Sequence, residues 1–213
     1  APPERKPQVK TDIRDAKRLV REDELGYARK VYVPSPYIEE LRVLTSRVME
    51  LGTKISAIKN QVHSLIERNM LQSEFEDISD MFGVDGLDKL AGIELPESES
   101  RALTMYLDEL SFYAEQHEKL DAELAKIASN DEDCKLLMTI PGVGPFVAVT
   151  IKARIGTISR FPDKQKLCSY AGIVPKADDS GDYKGRRGVK RGDYVLKNAL
   201  TTAVRGGHLQ EHR

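Results

Sequence analysis

Residues 41–65 read LRVLTSRVMELGTKISAIKNQVHSL. Within them Leu41, Leu44, Val48, Leu51, Ile55, Ile58, Val62 and Leu65 recur at alternating spacings of three and four without a break. An apolar seam of that period, held for about four heptads, specifies a coiled coil rather than the wider stripe of a surface helix. Gly52 falls outside the seam, where it costs about 1 kcal/mol of helix propensity without ending the helix. A second seam of the same spacing and nearly the same length runs through Leu103, Tyr106, Leu110, Tyr113, His117, Leu120, Leu124 and Ile127. His117 stands on it as a polar residue that fixes register. Two matched seams predict a long antiparallel helical hairpin, or paired hairpins in a dimer. The connector, residues 67–97, holds Gly83, Gly86 and Gly92 among short apolar clusters and reads as small helices and turns.

Upstream, residues 1–10 form a Pro-rich, basic lead-in. Ile13, Ala16, Leu19 and Val20 then give a short amphipathic helix from Thr11, its N-cap, to about Glu24, with Gly26 ending it. Val31-Tyr32-Val33 is extended, and Ser35-Pro36 starts the next helix. Downstream, Ser129-Asn130-Asp131-Glu132 fits a capping box, and composition changes there. The expected organisation is therefore 1–33, 34–128 and 129–213.

The net charge of −1 conceals an asymmetry: residues 130–213 carry 15 Lys and Arg against 9 Asp and Glu, while the remainder is acidic. Clustered cations are what a polyanion needs, so nucleic acid would bind the C-terminal part. Charged residues make up 31% and hydrophobic residues 40%, which excludes a disordered tail, and the absence of Trp with only 6% aromatics favours helices over a β-sandwich. Cys134 and Cys168 are too few and wrongly spaced for a disulfide framework or a zinc site. No apolar run reaches the length of a membrane span and the first residues lack a secretion signal, so the expected location is cytoplasmic, without a membrane partner.

Three segments carry chemistry. Ile140-Pro141-Gly142-Val143-Gly144-Pro145 joins a short helix to an apolar one at Phe146–Ile155, a helix-hairpin-helix. Gly142 and Gly144 permit positive φ and let backbone N–H groups approach a phosphate; a helix corner without a ligand has the same sequence. Pro162 opens another helix that Gly172 closes. Next, Lys184, Arg186, Arg187, Lys190 and Arg191 lie within eight residues, just after Ser180, in a Gly-rich stretch ahead of a last helix at about Asp193–Val204. They form either a phosphate cradle or a solvated basic loop. Ser180 is a turn residue or, with cations to stabilise added charge, a nucleophile toward a phosphodiester, with Tyr183 its rival. Finally, Asp12 and Asp15 are three apart on one helix face, as divalent-ion ligands or as acids favoured by a helix N-terminus.

Taken in order, Lys10-Thr11-Asp12-Ile13-Arg14-Asp15-Ala16, the helical middle, Ile140-Pro141-Gly142-Val143-Gly144, Tyr170-Ala171-Gly172-Ile173-Val174-Pro175, Ser180-Gly181 and Gly188-Val189-Lys190-Arg191-Gly192 resemble the DEDD-type insertion-sequence transposases. These are RNA-guided DNA recombinases related to the Piv-type invertases. The resemblance implies a mainly α chain: the remnant of a RuvC-like domain, a long antiparallel coiled-coil hairpin for dimerisation, and a small helical transposase domain with a helix-hairpin-helix and a short basic loop or β-hairpin. It implies Asp12 and Asp15 as the last two of four acidic Mg²⁺ ligands, Ser180 as the residue that forms a covalent phosphoserine, and DNA and a guide (bridge) RNA as partners. It also implies two acids upstream and further helix downstream, so the chain is expected to bind nucleic acid without completing recombination alone. A non-catalytic nucleic-acid-binding dimer is the alternative; the two separate at Ser180, where only the enzyme needs a nucleophile.

Overall fold

The computed structural model describes residues 12–27, 31–174, 176–180, 183–187 and 192–211, with Arg14, the strand residues and 208–211 taken by their backbone alone. It is mainly helical. Residues 1–33 and 34–213 form two separate compact units.

In the first unit, α1 (Asp12–Glu24) ends where Gly26 takes φ 69°, with the N–H of Tyr27 donating to Glu22 O and that of Gly26 to Asp23 O. This is a Schellman closure, for which a left-handed glycine is suited. The expected cap at Thr11 lies outside the described residues.

The second unit is built on two long helices, α2 (Pro36–Arg68) and α4 (Glu97–Asn130). Ser35 caps α2 by accepting from the N–H of Ile38, and Pro36 follows at the first turn, where its missing donor costs nothing. The helices run antiparallel within the chain: Leu41 and Val48 pack with Leu124 and Ala128, and Val62, Leu65 and Ile66 pack with Leu103. Every seam residue is buried or half-buried. Thr45 is wholly buried on the same face, its hydroxyl donating to Leu41 O. Gly52 faces His117, whose Nδ1 lies 3.1 Å from Asp121 Oδ2. At the hairpin tip a 3-10 turn (Gln72–Phe75) and α3 (Val84–Gly92) lay Phe75 and Leu90 over the ends of both helices.

At the opposite end, α5 (Glu132–Met138), α6 (Pro145–Ile155), α7 (Lys164–Ala171) and α8 (Tyr194–Glu211) close around the hairpin base. One core joins Leu41, Val48 and Leu124 to Val147, Val149, Ile151, Leu196 and Ala199, crossing residue 129 without interruption. α6 is its centre: Val147 through Ile151 and Ala153 are buried, leaving no polar stripe, the pattern of a helix enclosed on all sides. Between α7 and α8 the chain makes an antiparallel pair, β1 (Lys176–Ser180) and β2 (Tyr183–Arg187).

Several sequence expectations shift. The residue that caps α5 is Asp131, accepting from the N–H of Cys134, because α4 continues through Ser129 to Asn130. α7 begins at Lys164 under an Asp163 cap rather than at Pro162. α8 extends to Glu211, well past Val204. Gly144 has φ −87°, so only Gly142, at φ 82°, uses the left-handed region.

Candidate nucleic-acid interface

The β1–β2 register pairs Ser180 with Tyr183, Asp179 with Lys184, Ala177 with Arg186 and Lys176 with Arg187. Ser180 and Tyr183, the rival nucleophiles, are thus partners in the last pair of the ladder. The return strand opens the basic run that contains Lys184, Arg186 and Arg187. Lys190 and Arg191 lie outside the described residues.

The two ends of this excursion meet. A Cβ on Gly192 would stand 2.5 Å from the Cα of Gly172, so the backbones touch there. Gly172, at φ 70°, closes α7, with the N–H of Ile173 donating to Cys168 O. The N–H of Asp193 donates to Tyr170 O at 2.9 Å, and the Asp193 carboxylate caps α8 by accepting from the N–H of Leu196. The Tyr170 hydroxyl reaches Arg154 O at 3.2 Å and Asp193 Oδ2 at 3.4 Å, while the Arg160 guanidinium stacks 4.5 Å above the Tyr170 ring. In the sequence, Tyr170 is marked only as part of the stretch 170–175 that carries the resemblance. The legible signal was Gly192-Asp193, a close-approach glycine followed by a capping acid.

The Gly142–Gly144 turn divides into two functions. A Cβ on Gly142 would lie 2.0 Å from Ala203 O and 2.4 Å from the Gly207 nitrogen, so Gly142 is where α8 rests on the turn. Gly144 has nothing within 4 Å of its Cβ direction and is exposed. It stands at the N-terminus of α6, whose first-turn N–H groups lack partners within the helix. Of the two glycines, Gly144 is the one a phosphate could approach.

A polar pin that the sequence did not announce holds α5 to α6. The Lys152 ammonium pairs with Asp131 and, at 3.0 Å, with Asp133. The Lys152 and Asp131 side chains are only 15% and 14% exposed, so solvent screens this contact less than a surface pair. Burial opposes both charges, yet the Lys152 hydrogen bond holds the Asp131 carboxyl below its ordinary range, and the two acids raise Lys152. The Cys134 thiol is pushed up to about 12 by burial and then by Asp131, which makes it inert at neutral pH.

Asp12 and Asp15 stand in the first turn of α1. No third His, Cys, Asp or Glu joins them among the described residues, so these two alone do not fit a Mg²⁺ ion, and no reaction step is routed through one. Also among the described residues, no helix is long and apolar enough to cross a membrane.

Comparison with known proteins finds similarity over part of this geometry. Residues 134–207, spanning α5 to most of α8, are similar to a transposase domain; the matching family is the Transposase IS116/IS110/IS902 family. The transposase for insertion sequence element IS1111A of Coxiella burnetii is 34% identical over 86 residues, covering 40% of this chain and 24% of that protein. The transposase for insertion sequence element IS1328 of Yersinia enterocolitica is 28% identical over 151 residues, covering 68% of this chain and 43% of that protein. The chain therefore spans less than half the length of either relative.

Proposed function

We propose that the chain serves the strand-exchange part of an insertion-sequence transposase, holding DNA through the basic segment 184–191 and the exposed Gly144 turn, and presenting Ser180 to a phosphodiester. The observation that carries this reading is the position of Ser180. It sits at the closing pair of a hairpin whose return strand begins a basic run, inside the segment similar to the transposase family. Attack by the serine oxygen on phosphorus forms an O–P bond and breaks the P–O bond to one sugar oxygen; the serine hydroxyl gives up a proton and the expelled oxygen takes one up. The phosphoserine keeps a phosphoester for rejoining. Lys184, Arg186, Arg187, Lys190 and Arg191 supply the positive charge that stabilises the added negative charge at phosphorus. A guide RNA would use the same cations. Asp12 and Asp15 would supply two of the carboxylates of an acidic site completed by others.

We read α2 and α4 as a coiled-coil hairpin and residues 129–213 as the transposase domain, with α5–α6 its helix-hairpin-helix. The seams are occupied within the chain, so a homodimer would use the outer hairpin faces, where Met105 and Phe112 are 63% and 56% exposed.

The test is a binding titration with element-end DNA and its flanking non-coding RNA across a salt series, followed by capture on a nicked suicide substrate. Phosphate-dominated binding gives a slope of about −0.9 per contact in log K against log salt. Ser180→Ala is expected to abolish the covalent adduct and leave binding intact. An adduct that survives Ser180→Ala but disappears in Tyr183→Phe overturns the serine assignment. The second reading is a nucleic-acid-binding protein without catalysis, and its signature is binding with no adduct.

A further inference from the structure

We propose that Tyr170 and Asp193 are positioning residues: together they clamp the two ends of the Ser180 hairpin and pre-set the placement of the basic segment before nucleic acid arrives. The inference rests on the reading that this segment binds nucleic acid, and it adds residues outside the basic run to that function.

The excursion leaves α7 at Gly172 and returns at Gly192, and three contacts fasten the ends to each other. Gly192 touches the Gly172 backbone so closely that no side chain fits. The Asp193 N–H is held by Tyr170 O, and the single proton of the Tyr170 hydroxyl has Arg154 O at 3.2 Å and Asp193 Oδ2 at 3.4 Å as its acceptors. Asp193 simultaneously caps α8 through Oδ1, so the helix after the hairpin and the helix before it are tied through one carboxylate. The Arg160 guanidinium lies 4.5 Å from both the Tyr170 and the Phe161 rings, whose centroids are 5.3 Å apart.

A two-stranded hairpin is marginal by itself in water. Fixing its ends lowers the entropy lost when its cations are ordered on a phosphate backbone, because binding strength depends on how much freedom is given up as well as on contacts made. Tyr170 and Asp193 would raise affinity without touching the ligand.

This separates two quantities that one salt series measures. The slope of log K against log salt counts the phosphates neutralised, whereas its height includes the ordering cost. Using a duplex DNA oligonucleotide as probe, Tyr170→Phe keeps the stacking but removes both hydroxyl contacts. It is expected to weaken binding about 3- to 10-fold, the worth of one net hydrogen bond, with the slope unchanged. Asp193→Asn keeps an amide oxygen for the cap and is expected to bind like the parent, whereas Asp193→Ala falls with Tyr170→Phe. Circular dichroism confirms that the compared variants are folded, and hydrogen exchange is expected to quicken across β1 and β2 in the weakened ones. Replacing Lys184, Arg186 and Arg187 together by Ala should flatten the slope. If it does not, the hairpin is not the binding surface and the functional reading fails. If it does, but Tyr170→Phe binds with unaltered affinity or with a flattened slope, the clamp is wrong and the reading stands.

Discussion

The two ends of the helical hairpin are held by different means. At the base, backbone meets backbone: Gly142 against α8, Gly192 against Gly172, and an enclosed α6 pinned by Lys152. At the tip, closure depends mostly on side chains: Phe75 and Leu90 cover Val62, Leu65, Ile66 and Leu103, with Lys59 4.7 Å above the Phe82 ring and Lys89 5.7 Å above the Phe75 ring. Gly86, whose Cβ would lie 2.3 Å from Met81 O, is the tip's own close approach. Contacts between backbones cannot repack, whereas side chains change rotamer. The base is therefore suited to holding a site in place, and the tip should tolerate substitution.

The largest effect tests that contrast within one turn. Gly142→Ala meets both a left-handed φ of 82° and an oxygen at 2.0 Å, and is expected to cost about 3 kcal/mol or more of unfolding free energy. Gly144→Ala, in open space, should change stability by no more than about 1 kcal/mol. Equal midpoints and slopes for the two variants in denaturant titrations would erase the distinction between them.

Next come matched truncations. Leu124→Ala at the base is expected to cost about 3–5 kcal/mol, and Leu90→Ala at the tip about 2–3 kcal/mol, because the cost of a cavity falls where the surroundings can collapse into it. A reversed order would mean that the tip is the more rigid end.

The pin gives a smaller, pH-dependent effect. Lys152→Met leaves Asp131 partly buried without its cation and should cost about 1–3 kcal/mol. Asp131 is held below its ordinary 3.8, so its contribution is present above that value and is lost as pH falls through the lower folded-state pKa. Cys134 rises from 9.0 to about 12, so its contribution is complete below 9 and is lost as pH climbs from 9 toward 12. Lys152, raised above 10.5, adds loss at higher pH still. Stability measured from pH 3 to 11 should be flat from these groups between about 4 and 9, and Cys134→Ala should reduce the fall between 9 and 11. A parent-like alkaline fall in that variant would remove Cys134 from the account.

The two long helices were legible because period is a one-dimensional signal: a seam repeating every three and four residues names its buried face before any partner is known. Positions that depend on distant chain were not. Gly142 looked like a ligand-approach glycine, but what it approaches is Ala203, some sixty residues on. Lys152 looked like one cation among the 15 of a basic region, and only folding brings it to Asp131. Tyr170 stood in the sequence only as part of the stretch 170–175, because its hydroxyl's partners lie on other elements. Ser180 was located from sequence order, and its register partner Tyr183 followed from the strand pairing.

The smallest expected effect lies at the tip and has the opposite sign. Met70 takes φ 56° where α2 ends, held by its own N–H to Glu67 O and by the Leu71 N–H to Ile66 O. A side chain in that left-handed position costs about 1 kcal/mol, and Met70 is 83% exposed, so its side chain recovers little of this through packing. Met70→Gly removes the strain and keeps both hydrogen bonds, at the cost of a more flexible unfolded chain. A net gain of about 0.5 kcal/mol is expected, readable as a higher denaturant midpoint with unchanged slope. A loss instead would mean that the Met70 side chain contributes to holding the tip, and that the tip, like the base, depends on a fixed contact.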